Sequence, residues 1–117
     1  MAEDVVACVR GLPKTIKIDA YDWAVVIFDE AHEELCGQSD FESSQIRLWP
    51  ANLTSHNHAV GITLHECLHV IFANQGLENL KRGKDEREEQ IILGFEAGLV
   101  SLFRDNPKLL TWMKKWL

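Results

Sequence analysis

The chain has 117 residues, of which 46% are hydrophobic and 26% charged, and its formal net charge is -6. This length supports one hydrophobic core, so we expect a single domain over residues 1–117, and the composition excludes disordered and fibrous classes. The negative charge disfavours nucleic acid as a partner, because a phosphate backbone is negative as well.

The cysteines and the apolar runs indicate the compartment. Cys8, Cys36 and Cys67 are odd in number and form no CxxC pair, which predicts neither a disulfide framework nor a cysteine zinc knuckle. No apolar run approaches the length of a membrane span, and the acidic N-terminus lacks the basic start of a signal peptide. We therefore expect a cytoplasmic protein that does not bind a membrane.

The first half of the chain predicts short strands. Residues 14–18 are rich in β-branched side chains and follow a Gly-Leu-Pro turn signal, which is typical of a strand. Residues 23–35 are ambiguous, since their start is β-branched whereas DEAHEEL, residues 29–35, consists of strong helix formers. We expect this second half to be helical.

A second strand is predicted before Pro50. Residues 38–44 are polar and turn-like, and QIRLW, residues 45–49, then alternates polar and apolar side chains. The alternation places Ile46 and Leu48 on one face of a half-buried strand, which the proline ends.

Helices dominate the second half. An apolar pattern runs from the N-cap candidates Thr54 and Ser55 to about residue 74, with Gly76 as a C-cap candidate. A charged linker precedes a second long helix over about 85–104, and Asn106-Pro107 then starts a short last helix. The fold class we predict is α+β, with a small sheet, two long helices and a C-terminal cover.

The central helix contains GITLHECLHV, residues 61–70. Residues four apart lie on one face of a helix, so His65 and His69 can direct ring nitrogens at one ion while Glu66 stays free beside them. This HExxH pattern predicts one Zn²⁺ ion held by both histidines, with Glu66 as general base. A catalytic zinc site needs a third protein ligand and an open position for water.

The third ligand should be a carboxylate, because no histidine follows His69. Candidates on the next helix are Asp85, Glu86, Glu88, Glu89 and Glu96. An apolar stripe on that helix consists of Ile91, Ile92, Phe95, Leu99, Leu102 and Phe103. Helical spacing puts Glu88 at the centre of this stripe, which predicts that it points inward as the third ligand, with Glu89 as the reserve. We also expect Gly94 and Gly98 to let this helix approach the HExxH helix closely.

Three segments together resemble the short HExxH metallopeptidase-like proteins of phages and prophages, related to the ImmA/IrrE group of the gluzincin type. They are Gly37 with the polar turn and QIRLW, then GITLHECLHV, and EEQIILGFEAGLVSLFRDNP, residues 88–107. The resemblance covers roughly residues 35–110. It implies a minimal zincin fold, in which a small twisted sheet packs on the HExxH helix and the edge strand, here 45–49, lines the cleft and holds an extended peptide.

Residues and resemblance together predict a zinc metallopeptidase that hydrolyses protein or peptide substrates. The alternative is a non-catalytic zinc-binding protein that acts through protein–protein interaction. The C-terminal sequence LLTWMKKWL, residues 109–117, has its apolar residues at helical spacing, and we expect it to cover the core.

Overall fold

A computed structural model describes residues 2–117, with side chains from Asp4 onward. The described residues form four α-helices, a four-stranded sheet and one short 3₁₀ helix. In chain order the elements are α1 Ala2–Arg10, β1 Thr15–Ile18, β2 Tyr21–Ile27, β3 Gly37–Asp40, β4 Gln45–Leu48, the 3₁₀ helix Pro50–Asn52, α2 His56–Asn74, α3 Lys84–Asp105 and α4 Pro107–Trp116. The predicted α+β class is confirmed.

The sheet has the strand order β1-β2-β4-β3. The β2–β4 pair is parallel, whereas β1–β2 and β3–β4 are antiparallel. Ile16 and Ile18 of β1 and Ile46 and Leu48 of β4 are all buried, so one face of the sheet packs on the helices. The alternation predicted for Ile46 and Leu48 is therefore confirmed.

The edge strand differs from the one that the resemblance implied. β4, which contains most of QIRLW, lies inside the sheet between β2 and β3, and β3 is one of the two edge strands of the described sheet, on the side opposite β1. Of the polar residues 38–44 that predicted a turn, 41–44 form the turn and 38–40 belong to β3, where Arg47 of β4 binds them across the strand pair. Its guanidinium donates to Asp40 at 2.8 Å and to Gln38 at 3.2 Å.

The expected helix over 29–35 is wrong, since this segment forms a loop after β2. The side chain of Asn52 binds the loop backbone, accepting from the His32 N–H at 3.3 Å and donating to the Leu35 carbonyl at 2.9 Å. The His32 ring accepts from the N–H of Glu34 at 3.0 Å. These contacts satisfy the backbone polar groups without helical hydrogen bonds.

The ends of α2 agree with the predicted caps. Ser55 is the N-cap residue, and its side chain accepts from the backbone N–H of His58 at 3.0 Å. The His58 ring in turn accepts from the N–H of Thr54 at 3.1 Å. After α2 the chain turns at Gly76, whose φ of 68° is favourable for glycine.

α3 packs closely on α2 at Gly98, as predicted, whereas Gly94 lies against the segment that follows α2. Gly94 and Gly98 are buried together with Leu102. A Cβ atom at Gly98 would lie 2.3 Å from Cγ2 of Ile71, and one at Gly94 would lie 2.9 Å from Cδ2 of Leu77. α3 can lie this close to α2 and to the segment after it only while both positions lack a side chain.

α4 covers the core, as expected for LLTWMKKWL. Leu109 and Trp112 are buried, and the indole N–H of Trp112 donates to the carbonyl of Cys8 at 2.7 Å. Cys8 belongs to α1, a helix that was not predicted from the sequence. Asn106 precedes α4, but its side chain bonds to both backbone groups of Lys17, so it joins α4 to the edge of β1.

Within residues 2–117, no helix combines the length and apolar character needed to cross a membrane.

Candidate metal centre

His65 and His69 lie together on the exposed face of α2. Their Nε2 atoms are 3.1 Å apart, and the two rings are nearly perpendicular, with an interplanar angle of 80°. The spacing of four residues produces this arrangement, because it brings the two side chains to adjacent turns of one helical face. The structure thus brings together the first two predicted ligands.

The distance between these nitrogens fits a shared zinc ion. Two ligands at about 2.05 Å from zinc in a tetrahedral sphere have their nitrogens about 3.3 Å apart. The observed 3.1 Å is close to this value. The spacing of the two Nε2 atoms is therefore compatible with two ligands of one tetrahedral ion.

Glu66 points to a different side of α2, toward the edge strand β3. Only 6% of Glu66 is exposed, which is unusual for a glutamate. The hydroxyl oxygen of Ser39 lies 2.8 Å from the Oε1 atom of Glu66 and also 2.8 Å from its main-chain carbonyl oxygen. A carboxylate can remain in this buried position because Ser39 supplies a hydrogen bond.

Gly37 allows β3 to lie this close to α2. A Cβ atom there would be 2.7 Å from Cγ2 of Ile62 and 3.2 Å from Cγ of Glu66. The first distance is shorter than real Cβ contacts, so any larger residue would push the strand away. Gly37 is part of the family resemblance, but nothing in the sequence indicated a contact of Ser39 with Glu66, because the polar run 38–44 predicted a turn.

Glu88 is exposed, in contrast to the inward orientation predicted for it. The buried line of α3 is Gly94, Gly98 and Leu102, whereas Ile92 of the predicted stripe is 52% exposed. The centre of the packing face is therefore rotated toward the glycines, because small residues permit the closest contact. Glu89 is exposed as well.

The third ligand does not join the histidine pair in this arrangement. Among the described residues, no three His, Cys, Asp or Glu side chains gather into a group that could hold a metal ion. Glu88 precedes Phe95 by seven residues, which is about 10 Å along a helix axis. Phe95 is the α3 residue that lies beside the histidines.

An apolar cavity of about 230 Å³ adjoins the histidine pair. It is lined by His65, Leu68, His69, Phe72 and Phe95. α3 thus bounds one side of the histidines through Phe95, and β3 lies on the other side through its contacts with Ile62 and Glu66. We call the exposed, histidine-bearing surface of α2 between these two contacts the groove.

Cys67 lies in the core, as predicted, and is fully buried. Burial, assisted by the neighbouring Glu66 carboxylate, raises the pKa of the Cys67 thiol to about 12. Cys67 lies on the core side of α2, away from the exposed His65 and His69, and therefore does not join them.

A larger cavity, of about 670 Å³, lies at the opposite edge of the sheet. Its charged lining residues are Lys14, Lys17, Asp22, Asp105 and Lys108. These side chains are of mixed sign, and neither histidine nor cysteine contributes to the lining. The HExxH face therefore remains the candidate metal centre.

Comparison of the chain with protein-family models, with curated proteins and with solved structures finds no match in any of the three.

Proposed function

We propose that this chain is a zinc-dependent metallopeptidase that hydrolyses peptide bonds. The observation that carries the proposal is the approach of the His65 and His69 Nε2 atoms to 3.1 Å, with the buried carboxylate of Glu66 one residue further along. Two imidazoles that share one point and a carboxylate that does not join them are the parts of a catalytic zinc site. In this proposal the sheet and α2 form a minimal zincin fold.

The roles of the residues follow from their chemistry. A zinc ion held by His65, His69 and Glu88 would polarise the peptide carbonyl and lower the pKa of water toward neutrality. Glu66 accepts the proton of the attacking water and delivers it to the leaving amine. Its position on the next helical face keeps its carboxylate out of the proposed metal coordination.

Glu88 remains our proposed third ligand, with Glu89 as the reserve. It is an exposed carboxylate on the flank of α3 that also carries Phe95, since the two are seven residues apart. Glu88 lies about 10 Å along the α3 axis from Phe95, which adjoins the histidines. The proposal therefore requires the first turns of α3 to change position when zinc binds.

The substrate we propose is an extended segment of a protein or peptide. β3 is one of the two edge strands of the described sheet, and it contacts α2 at Glu66, the residue next to His65. A sheet edge holds an extended chain through backbone hydrogen bonds. With its three cysteines outside any CxxC pair, the chain is also proposed to act in the cytoplasm, as a protein of the phage and prophage type.

A non-catalytic zinc-binding protein is the second candidate. It is favoured by the exposed position of Glu88, away from the histidine pair. Such a protein would use the metal to present the groove to a partner. Such a protein does not need a general base, so the effect of replacing Glu66 distinguishes the two candidate functions.

The test replaces Glu66 by glutamine. We expect Glu66→Gln to retain zinc, measured by metal analysis, and to lose about a hundredfold to ten-thousandfold in peptide hydrolysis. Glu78→Gln, which changes an exposed glutamate outside the groove, is the matched control. If the zinc-loaded natural chain cleaves nothing in broad peptide libraries, the peptidase proposal fails and the binding protein takes its place.

A further inference from the structure

Ser39 makes the polar contact that fixes Glu66. Its Oγ atom lies 2.8 Å from Oε1 of the carboxylate and 2.8 Å from the carbonyl oxygen of the same residue. A hydroxyl has one proton to donate, so the two acceptors share it. The hydroxyl thus touches both the backbone and the side chain of Glu66, which restricts the rotation of the side chain between them.

The surroundings hold Ser39 in place. Ser39 pairs with Ile46, a fully buried residue of β4, so its backbone belongs to the sheet rather than to a loop. Gly37, two residues earlier, brings the same strand within contact of Ile62 and Glu66. The hydroxyl is therefore presented to α2 by a strand whose position is set by pairing on one side and by packing on the other.

We propose that Ser39 is a positioning residue for Glu66, an inference that rests on the metallopeptidase proposal. A glutamate side chain has three rotatable bonds, and a free one spends much of its time away from the reacting water. Ser39 holds Oε1 at a fixed point beside the histidine-bearing face of α2. It acts through Glu66 and does not touch the substrate.

The first test compares three variants. We expect Ser39→Ala to lower kcat by about ten- to hundredfold with KM and zinc content unchanged, since a misplaced base affects the chemical step. Ser39→Thr, which keeps the hydroxyl, should recover most of the activity. Ser43→Ala is the matched control, because its hydroxyl bonds to Asp40 and lies within reach of Arg47 rather than Glu66.

A second measurement does not depend on catalysis. In the metal-free protein labelled with ¹³C at glutamate, relaxation of the Glu66 side chain reports its mobility, and the Glu66→Gln variant assigns its signal. Increased mobility in Ser39→Ala, but not in Ser39→Thr or Ser43→Ala, supports positioning even if the natural chain proves inactive. Wild-type kcat in Ser39→Ala, or an equally rigid Glu66 in that variant, overturns the inference.

Discussion

Gly37 of β3 packs directly against Ile62 of α2, with room for a hydrogen atom but not for a methyl group. A Cβ atom at Gly37 would lie 2.7 Å from Cγ2 of Ile62, while the carbonyl of Arg47, 3.3 Å away, closes the space on the sheet side. The contact sets how closely the edge strand approaches the HExxH helix. It therefore also sets whether Ser39 can reach Glu66.

We expect Gly37→Ala to destabilise the protein by about 1–3 kcal/mol, the usual cost of forcing a methyl group into a packed contact. The displaced strand should also weaken the hydrogen bond from Ser39 and lower kcat. Urea unfolding and steady-state kinetics measure the two effects. A Gly37→Ala variant as stable as the natural protein would show that β3 moves freely.

Gly61→Ala is the matched control for this substitution. Gly61 lies on the exposed face of α2, where a new Cβ atom would meet no described atom within 4 Å. Alanine is the better helix former, so Gly61→Ala should stabilise the protein by about 0.5–1 kcal/mol. Alanine should lower the stability of the protein at Gly37 and raise it at Gly61. This difference in sign separates the cost of the packing contact from the effect of alanine on the backbone.

Gly98 makes the same kind of contact between α2 and α3. Gly98→Ala would place its Cβ atom 2.3 Å from Cγ2 of Ile71, and we expect a loss of about 1–3 kcal/mol in the free energy of unfolding. Ile71→Ala also destabilises, by leaving a cavity. The double variant should be less destabilised than the sum of the two, and strict additivity in urea unfolding would contradict this contact.

Substitution of the adjacent residues Glu88 and Glu89 tests which carboxylate is the proposed third metal ligand. We expect Glu88→Ala to weaken zinc binding at least about tenfold, or 1.4 kcal/mol, relative to Glu89→Ala. Competition with a chromogenic chelator measures both affinities. Glu88 and Glu89 are both exposed, so neither substitution disturbs the core. If Glu89→Ala weakens binding more, the ligand is Glu89, and if neither does, the third donor lies elsewhere.

The thiols should differ in reactivity. Burial raises the pKa of Cys8 to about 11 and that of Cys67 to about 12, so both remain protonated at neutral pH, whereas Cys36 is only half-buried. The thiolate is the reactive form. We expect iodoacetamide to modify Cys36 first in the native protein, as read by peptide mass spectrometry, with Cys8 and Cys67 reacting only after unfolding. Early modification of Cys67 would contradict its place in the core.

Local patterns predicted much of the helical half. The N-cap at Ser55, the turn at Gly76 and the apolar C-terminal spacing each depend on neighbours in the chain, and all appear in the structure. The meeting of His65 and His69 is local as well, because a helix brings residues four apart to one face. These features needed no knowledge of the rest of the fold.

Other features depended on contacts between distant segments. The loop 29–35 has a helical composition, but Asn52, from beyond the next two strands, binds its backbone. Polar residues form β3 because Arg47 of β4 holds them. The exposed position of Glu88 also followed from packing, since the closest contacts of α3 are made by Gly98 against Ile71 and by Gly94 against Leu77.

The sequence by itself thus determined the α+β class, the main helices and the pair of imidazoles, because regular backbone geometry converts spacing along the chain into position on a surface. Only the tertiary structure decided which strand forms the sheet edge, which side chain holds Glu66 and which face of α3 meets α2. Those outcomes depend on the closest approach of atoms from segments far apart in the chain, and periodicity within a segment does not contain that information.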